Sequence, residues 1–567
     1  MGRFRNITFY GVVTASLTSG GFAQDINQLT AQDRNANIVG ERQSRENLRK
    51  VLEAEKKKNS HVGDSLKESI INYQKPDASV ENIRFKLKKI RFTPKSQLLE
   101  ASVLRKIAKK YTHREISFND LQKLRVDVIN AYQERGYTLS TVNIPAQKLE
   151  NDTLKIELVE SKIKRVEFEN NLYIPDSYFD AFVGKYRERF FNVRQLERDL
   201  VHFNKVSKAS MVAKSRASDE FSYSDLIFQV YEPARFSTNF SIDNYGTKRL
   251  GELRFLSSAS VYGVVEGYDD NLVIGTTQSK GNNSWYGVYD RPLNTYGTRA
   301  SITATVGRTT VTTGQGDDLQ IVGNSSSYNA RVTHPLRVTQ NMSLYASLGY
   351  RYSDSRSLFV GSFLDNTRSD TLFADITLDH VDDYGSWYGQ LSASMGYSKR
   401  FDEDSQGYQL FNASVRRVQR LNDDWLGTIE VNSQYSLEER LPNTANYYVG
   451  GQSSVRGYED GAAVGAHGYT AKLDLSTNPF SRLPLPDGHT LKNVRLSFFY
   501  DYAVAYTRKG GGVGLDPDTF SSAGVYAYYQ PITPLFLSVG YAKPIDFDEE
   551  LFNERNFHFS IQYKLTF

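Results

Sequence analysis

From Arg235 to Phe567 apolar and polar positions alternate with a period of two, the spacing of a strand with two different faces. In the final segment Phe557, Phe559, Ile561, Tyr563, Leu565 and Phe567 share one face, while His558, Ser560, Gln562, Lys564 and Thr566 share the other. Trp387, Leu391, Ala393, Met395 and Tyr397 alternate in the same way against Tyr388, Gln390, Ser392, Ser394 and Ser398. So do Leu344, Ala346, Leu348 and Tyr350 against Ser343, Tyr345, Ser347 and Arg351, and Tyr469, Ala471, Leu473 and Leu475 against Thr470, Lys472, Asp474 and Ser476. Many such runs of about ten residues predict a closed antiparallel sheet, apolar outside and polar inside. At roughly 20 residues per strand and connection, residues 235–567 make about 16 strands, wide enough for an aqueous lumen.

Before residue 234 the pattern differs. Ile83, Phe85 and Leu87 alternate as a strand, and Ser96 to Tyr111 reads as a helix. Ser117 caps a second helix carrying Leu121, Leu124, Val128 and Tyr132, closed by Gly136. Leu139 to Ile144 and Thr153 to Val159 are strands joined through Asn151-Asp152. The order then repeats: a strand over Lys164 to Phe168, a helix starting near Pro175, and a helix capped by Asn192 that carries Leu196, Leu200 and Phe203. Strands around Met211 to Lys214 and Leu226 to Tyr231 complete it. Two consecutive βααββ units follow, at 82–160 and 161–233, whose open sheet edges can accept an extended peptide as an added strand.

The N-terminal 81 residues carry three further expectations. Residues 1–23 read as a secretory signal, with Arg3 and Arg5, an apolar run over Ile7 to Leu17, and small residues around Gly21-Phe22-Ala23. Residues 24–58 are polar nearly all round and rich in helix formers from Arg45 to Lys58. A helix without an apolar stripe lies free in water or inside something polar and wet. Residues 59–81, which include Pro76, read as a linker.

Composition agrees with a membrane barrel. Mean hydropathy is -0.50, and no internal run approaches the roughly 20 apolar residues of a membrane-crossing helix. Yet aromatics make up 13% of the 567 residues, with Tyr 37 ahead of Phe 32 and Gly at 40. A lipid-facing barrel needs that combination for its girdles and close strand contacts. Cys is 0, which excludes disulfides, thiol chemistry and Cys-ligated metals. The net charge of +4 points to no nucleic-acid partner. Among the 8 His no Ser/His/Asp or metal-ligand arrangement stands out, so no catalytic residue, metal or cofactor is assigned. Asp382-Asp383 lies between strands and reads as a solvated turn.

One loop stands apart. In Gly450-Gly451-Gln452-Ser453-Ser454-Val455-Arg456-Gly457-Tyr458-Glu459-Asp460-Gly461, half the residues are Gly or Ser, and strand-like runs flank it. Glycines let such an arginine approach another backbone closely. Further on, Val494, Leu496, Phe498, Tyr500 and Tyr502 make an outward face, which places Asp501 on the lumen side with Arg495 and Ser497.

With these motifs the chain resembles the TpsB family, the outer-membrane transporters of two-partner secretion of the filamentous-haemagglutinin transporter and CdiB type. Val455-Arg456-Gly457-Tyr458 matches the family's VRGY motif, and Phe499-Tyr500-Asp501-Tyr502-Ala503 matches its aromatic-x-Asp-x-Gly motif except that Ala503 replaces the glycine. The resemblance implies two periplasmic POTRA domains, a 16-stranded barrel in the Gram-negative outer membrane, and a pore plugged by the polar helix at 24–58. It implies that Val455, Arg456, Gly457 and Tyr458 form a loop anchor in the lumen, that Phe499 and Asp501 supply the inner-wall partner, and that Tyr563, Leu565 and Phe567 form a C-terminal insertion signal. Ile242-Asp243-Asn244-Tyr245-Gly246 also resembles the family's turn after the first strand. The implied function is nucleotide-free secretion of one large β-rich exoprotein of the TpsA type, by a monomer and not an enzyme. Its other partners are outer-membrane lipid and, during biogenesis, the barrel assembly machinery. The competing expectations are a BamA-type assembly factor, which shares barrel, loop motif and POTRA domains, and a plain solute porin.

Overall fold

The computed structural model describes residues 84–567 apart from 311–321, 360–361, 401–404, 439–440, 443–444, 478, 481–482, 485–489, 492, 508–515 and 546–553. The signal sequence, polar helix and linker expected at 1–81 lie outside the described residues. Two compact units meet in sequence at Glu232/Pro233.

The first unit holds two α/β domains of the same topology. In one, strand Thr153–Val159 lies between a parallel neighbour, Lys89–Thr93, and an antiparallel one, Thr141–Asn143. In the other, Tyr223–Tyr231 lies between parallel Lys162–Glu169 and antiparallel Ser210–Ala217. Each sheet is covered by two helices, Ala101–Lys109 and Phe118–Gln133 in the first domain, Asp176–Val183 and Val193–Val206 in the second. Leu121, Leu124, Val128 and Tyr132 lie buried in the first core at helical spacing, against Leu154, Ile156 and Leu158 at strand spacing.

Local chemistry sets the helix ends. Ser117 and Asp120 form a full capping box, each side chain bonded to the other residue's backbone N–H. The Asn192 side chain accepts from the N–H of Arg194 and Gln195. The first helix begins at Ala101 where its pattern starts at Ser96, because the Glu160 carboxylate accepts from the N–H groups of Gln97 and Leu98 and holds that stretch as a turn. The strand expected across Phe85 is present and is followed by a second one that the alternation did not announce. Arg84–Leu87 pairs with Arg114–Ser117, and Lys89–Thr93 joins the main sheet, after the Lys88 and Lys89 N–H groups both turn to the Asp152 carbonyl.

The second unit is a closed barrel of 16 antiparallel strands, each paired with its sequence neighbour in the wall. The last strand, Phe557–Thr566, closes on the first, Phe236–Asp243, and Phe567 and Phe236 exchange backbone hydrogen bonds at the end of that seam. Alternation decides the faces. Leu391, Met395 and Tyr397 are exposed on the outside, and Ser398 is buried on the inside. Tyr563 and Phe567 face outward, and Leu565 is half-buried on the same face. His558 and Ser560 are buried inward. No described helix is long and apolar enough to cross a membrane.

Candidate functional site

The stretch between strands Trp425–Ser436 and His467–Thr477, neighbours in the wall, carries a short hairpin of Tyr447–Val449 paired with Ala463–Gly465. Its tip, Gly450 to Gly461, lies against inward-facing residues of four successive strands. Val455 is fully buried and Tyr458 nearly so, in an apolar cluster with Ala503, Ala505 and Phe520. Ala503, which stands where a glycine was expected, keeps regular pairing with Thr470 and Phe520, and its methyl group belongs to this cluster.

Arg456 reaches the wall. Its Nε and Nη2 donate to the two oxygens of Asp501, both at 2.7 Å, and its backbone N–H donates to Asp501 Oδ2 at 3.0 Å. Nη1 and Nη2 also donate to the two oxygens of Asp474, at 3.0 and 3.2 Å. The guanidinium plane sits 3.7 Å over the Phe499 ring. Asp501 is fully buried and the Arg456 side chain only 5% exposed, so the pair is shielded from solvent. Asp501 and Asp474 face inward because their strands pair in regular register, Asp474 opposite Phe499 and Lys472 opposite Asp501.

Lys472 and Glu430 extend this network. They are cross-strand neighbours, and Lys472 Nζ donates to the Gln452 carbonyl in the loop at 2.9 Å. Tyr526 donates its hydroxyl to Gln452 Oε1. With Arg416 paired to Glu430 at 3.8 Å, three cations, Arg456, Lys472 and Arg416, face three carboxylates, Asp474, Asp501 and Glu430, and the cluster is charge-balanced. Balance and geometry matter here, because an uncompensated buried charge is costly.

Backbone shape completes the seat. Gly457 has φ +97°, and a Cβ there would stand 3.1 Å from Pro544 Cδ. Gly451, at φ +77°, leaves no room for a Cβ beside the Asp460 carboxylate. Tyr458 donates to the carbonyls of Ser521 or Ile545, both at 3.3 Å, and its ring meets Phe520 edge-on.

Arg555 ties the loop to the seam. Its N–H donates to the Gly457 carbonyl, and its side chain contacts Glu459 and donates to the Asn244 carbonyl. Asn244, in the turn after the first strand, bonds the last strand through its side chain, to the Phe557 carbonyl and the Phe559 N–H, each at 2.8 Å.

The structure therefore brings Val455, Arg456, Gly457, Tyr458, Phe499 and Asp501 into one site. Tyr563, Leu565 and Phe567 lie apart from it, on the outer face of the closing strand. Asp474, Lys472, Gln452 and Tyr526 are members the motifs do not announce; the inward parity of Asp474 and Lys472 is their only sequence signal. The Asp382-Asp383 pair is a turn, in which Asp382 accepts from the Tyr384 and Gly385 N–H groups and pairs with Arg417. Among the described residues no His, Asp or Glu cluster could hold a metal ion.

Residues 222–509 match the family described as haemolysin secretion/activation protein ShlB/FhaC/HecB, and residues 85–161 match the ShlB-type POTRA domain. The chain is 23% identical over 501 residues to the heme/hemopexin transporter protein HuxB of Haemophilus influenzae, covering 82% of this chain and 85% of that one. Its fold is similar to that of CdiB from Escherichia coli, with a TM-score of 0.59 at 15% identity over 87% of this chain and 93% of the other. It is also similar, at a TM-score of 0.53 and 16% identity, to BamA from Haemophilus ducreyi lacking POTRA domains 1–3, over 85% of this chain and 100% of that one.

Proposed function

The chain belongs to the haemolysin secretion/activation protein family ShlB/FhaC/HecB, the outer-membrane transporters of two-partner secretion, and from that premise we propose how its loop and domains work. It is a transporter with POTRA domains in the periplasm and acts with a TpsA-type exoprotein partner. In our reading the Gly450–Gly461 loop is the movable part. Seated, it narrows the lumen; released, it opens a path for an unfolded, β-rich chain. The supporting observation is the double carboxylate clamp on Arg456. Replacing buried ion pairs by apolar groups is often neutral for stability, so their value lies in fixing one arrangement among several.

The exoprotein docks first on the POTRA sheets. Strands Lys89–Thr93 and Ser210–Ala217 lie at the edges of their sheets, and an extended peptide adds there through main-chain hydrogen bonds. It then threads outward, and folding at the cell surface opposes its return without nucleotide. Tyr563, Leu565 and Phe567 serve biogenesis in this reading, as the outward edge seen by the assembly machinery. The barrel works as a monomer and has no catalytic step.

Comparing the culture medium and surface proteins of cells lacking this protein with the parent tests the reading. Loss of one large exoprotein, with other outer-membrane proteins intact, is the expected result and identifies the cargo. General loss of outer-membrane barrels replaces the secretion reading with an assembly-factor one, for which the BamA-like fold is the specific support.

A further inference from the structure

The outside of the barrel is not uniform at its outer rim. The strands from Arg299–Thr310 to Gly385–Arg400 include the longest in the wall, with 21 residues in Ser362–Asp382 and 18 in Met342–Phe359. On the last of them the outward face begins with Trp387, continues through Leu391 and Met395, and ends with Tyr397 and Lys399. Ten residues at about 3.3 Å each, tilted as barrel strands are, span roughly 25 Å from Trp387 to Tyr397. That is the height of an apolar band between two aromatic girdles. Tyr328, Tyr352 and Tyr397 share one cross-strand row at the upper girdle, with Asp370 between the last two.

Directly beyond this girdle the outward positions turn basic. In the next row Asp354 lies opposite Arg368, and Arg368 lies opposite Lys399. One row further out, Arg308 lies opposite Asn324, and Asn324 lies opposite Arg356. Four cations thus meet two carboxylates, Asp354 and Asp370. Asp354 is shared by Arg356 and Arg368, whose side chains remain 43% and 56% exposed. Asp370 takes the Tyr350 hydroxyl. Among the described residues Arg308 and Lys399 have no carboxylate partner. Like charges directly opposite in a sheet, as Arg368 and Lys399 are, destabilise it unless a counter-charge lies between them.

We infer that this patch is a binding site for a phosphorylated glycolipid of the outer leaflet. The acyl chains would lie on the apolar band below Tyr328, Tyr352 and Tyr397, and the headgroup phosphates would bridge Arg308, Arg356, Arg368 and Lys399. Arginine forks suit phosphate oxygens, and amides such as Asn324 suit sugar hydroxyls. The height of the patch selects a membrane lipid over a soluble anion, because its cations stand one and two rows beyond the girdle. The inference rests on the outer-membrane location of the barrel and is independent of the loop.

The test uses the full-length protein in phosphatidylcholine nanodiscs doped with bis-phosphorylated lipid A, with dephosphorylated lipid A, or with neither. Bound lipid is counted by native mass spectrometry. The parent should retain the bis-phosphorylated form and not the dephosphorylated one, and free inorganic phosphate at equal concentration should not displace it. A variant with Arg308, Arg356, Arg368 and Lys399 all changed to Gln should bind about 100-fold more weakly, at roughly five-fold per membrane-surface cation with allowance for non-additivity. Lys543→Gln, an outward cation on a distant strand, should bind as the parent does. Heat-modifiable gel mobility verifies the folded barrel in each variant. Unchanged binding by the fourfold variant, equal retention of dephosphorylated lipid, or displacement by free phosphate would each overturn the inference.

Discussion

Removing the Arg456 side chain is the most direct test of the loop seat. Arg456→Ala deletes four side-chain hydrogen bonds of 2.7–3.2 Å and the stack on Phe499, and strands Asp501 in a site with no solvent exposure. Breaking a buried pair by deleting one partner costs about 3–5 kcal/mol, most of it from the charge left behind. Asp474 is 21% exposed and loses less, so a value near 4 kcal/mol, roughly a thousand-fold in the ratio of seated to released loop, is the working figure. Because the chain has Cys 0, a single Ser454→Cys gives a unique thiol, buried while the loop is seated. Its labelling by a membrane-impermeant maleimide on intact cells should be slow in the otherwise native protein and faster by orders of magnitude with Arg456→Ala. Asp501→Asn should fall between them, since one amide oxygen still accepts from the loop. Heat-modifiable mobility should show an inserted barrel in both, and secretion should drop in both because a loop that no longer re-seats loses the one fixed arrangement from which opening is controlled. Labelling that stays slow in both variants refutes the anchor.

Other perturbations follow from the same geometry. Gly457→Ala forces a side chain into the left-handed region beside Pro544, and should weaken the seat by about 1–2 kcal/mol, read as faster Ser454→Cys labelling. Asn244→Ala removes two hydrogen bonds at the closing seam, roughly 1 kcal/mol each, and should lower the temperature at which the barrel loses its compact gel mobility. Ser117→Ala should cost the first POTRA domain about 1 kcal/mol through the lost helix cap, seen as faster amide exchange over Phe118–Gln133. The Ser117 N–H, opposed by partial burial and aided by Arg114, holds the Asp120 carboxyl below its ordinary value. Its folded-state affinity for protons is thus lower than in the unfolded chain. The stability it contributes is complete above the ordinary carboxylate range and is lost as pH falls through the folded-state value. Amide protection factors in that helix, exchange rates corrected for the intrinsic pH dependence, should fall toward pH 3 in the parent, and less steeply in Asp120→Asn.

The amino-acid sequence by itself determined the architecture. Period-two alternation with aromatic ends requires a wall with an apolar outside, and on a strand of fixed pleat it also determines that Asp501 faces the lumen. Helix caps at Ser117 and Asn192 and the apolar spacing between them determined the repeated α/β domains, because those signals act within a few residues. Tertiary structure decided whatever depended on register between distant strands. Asp474 joins Arg456 from 18 residues away, Asn244 clips a strand 313 residues further on, and Arg308, Arg356, Arg368 and Lys399 form one patch only after five strands are aligned. Local competition shifted some boundaries too: Glu160 captures the backbone at Gln97 and Leu98, delaying a helix whose residues favour an earlier start. Such partners are chosen by hydrogen-bond register and burial, which one strand's pattern does not contain.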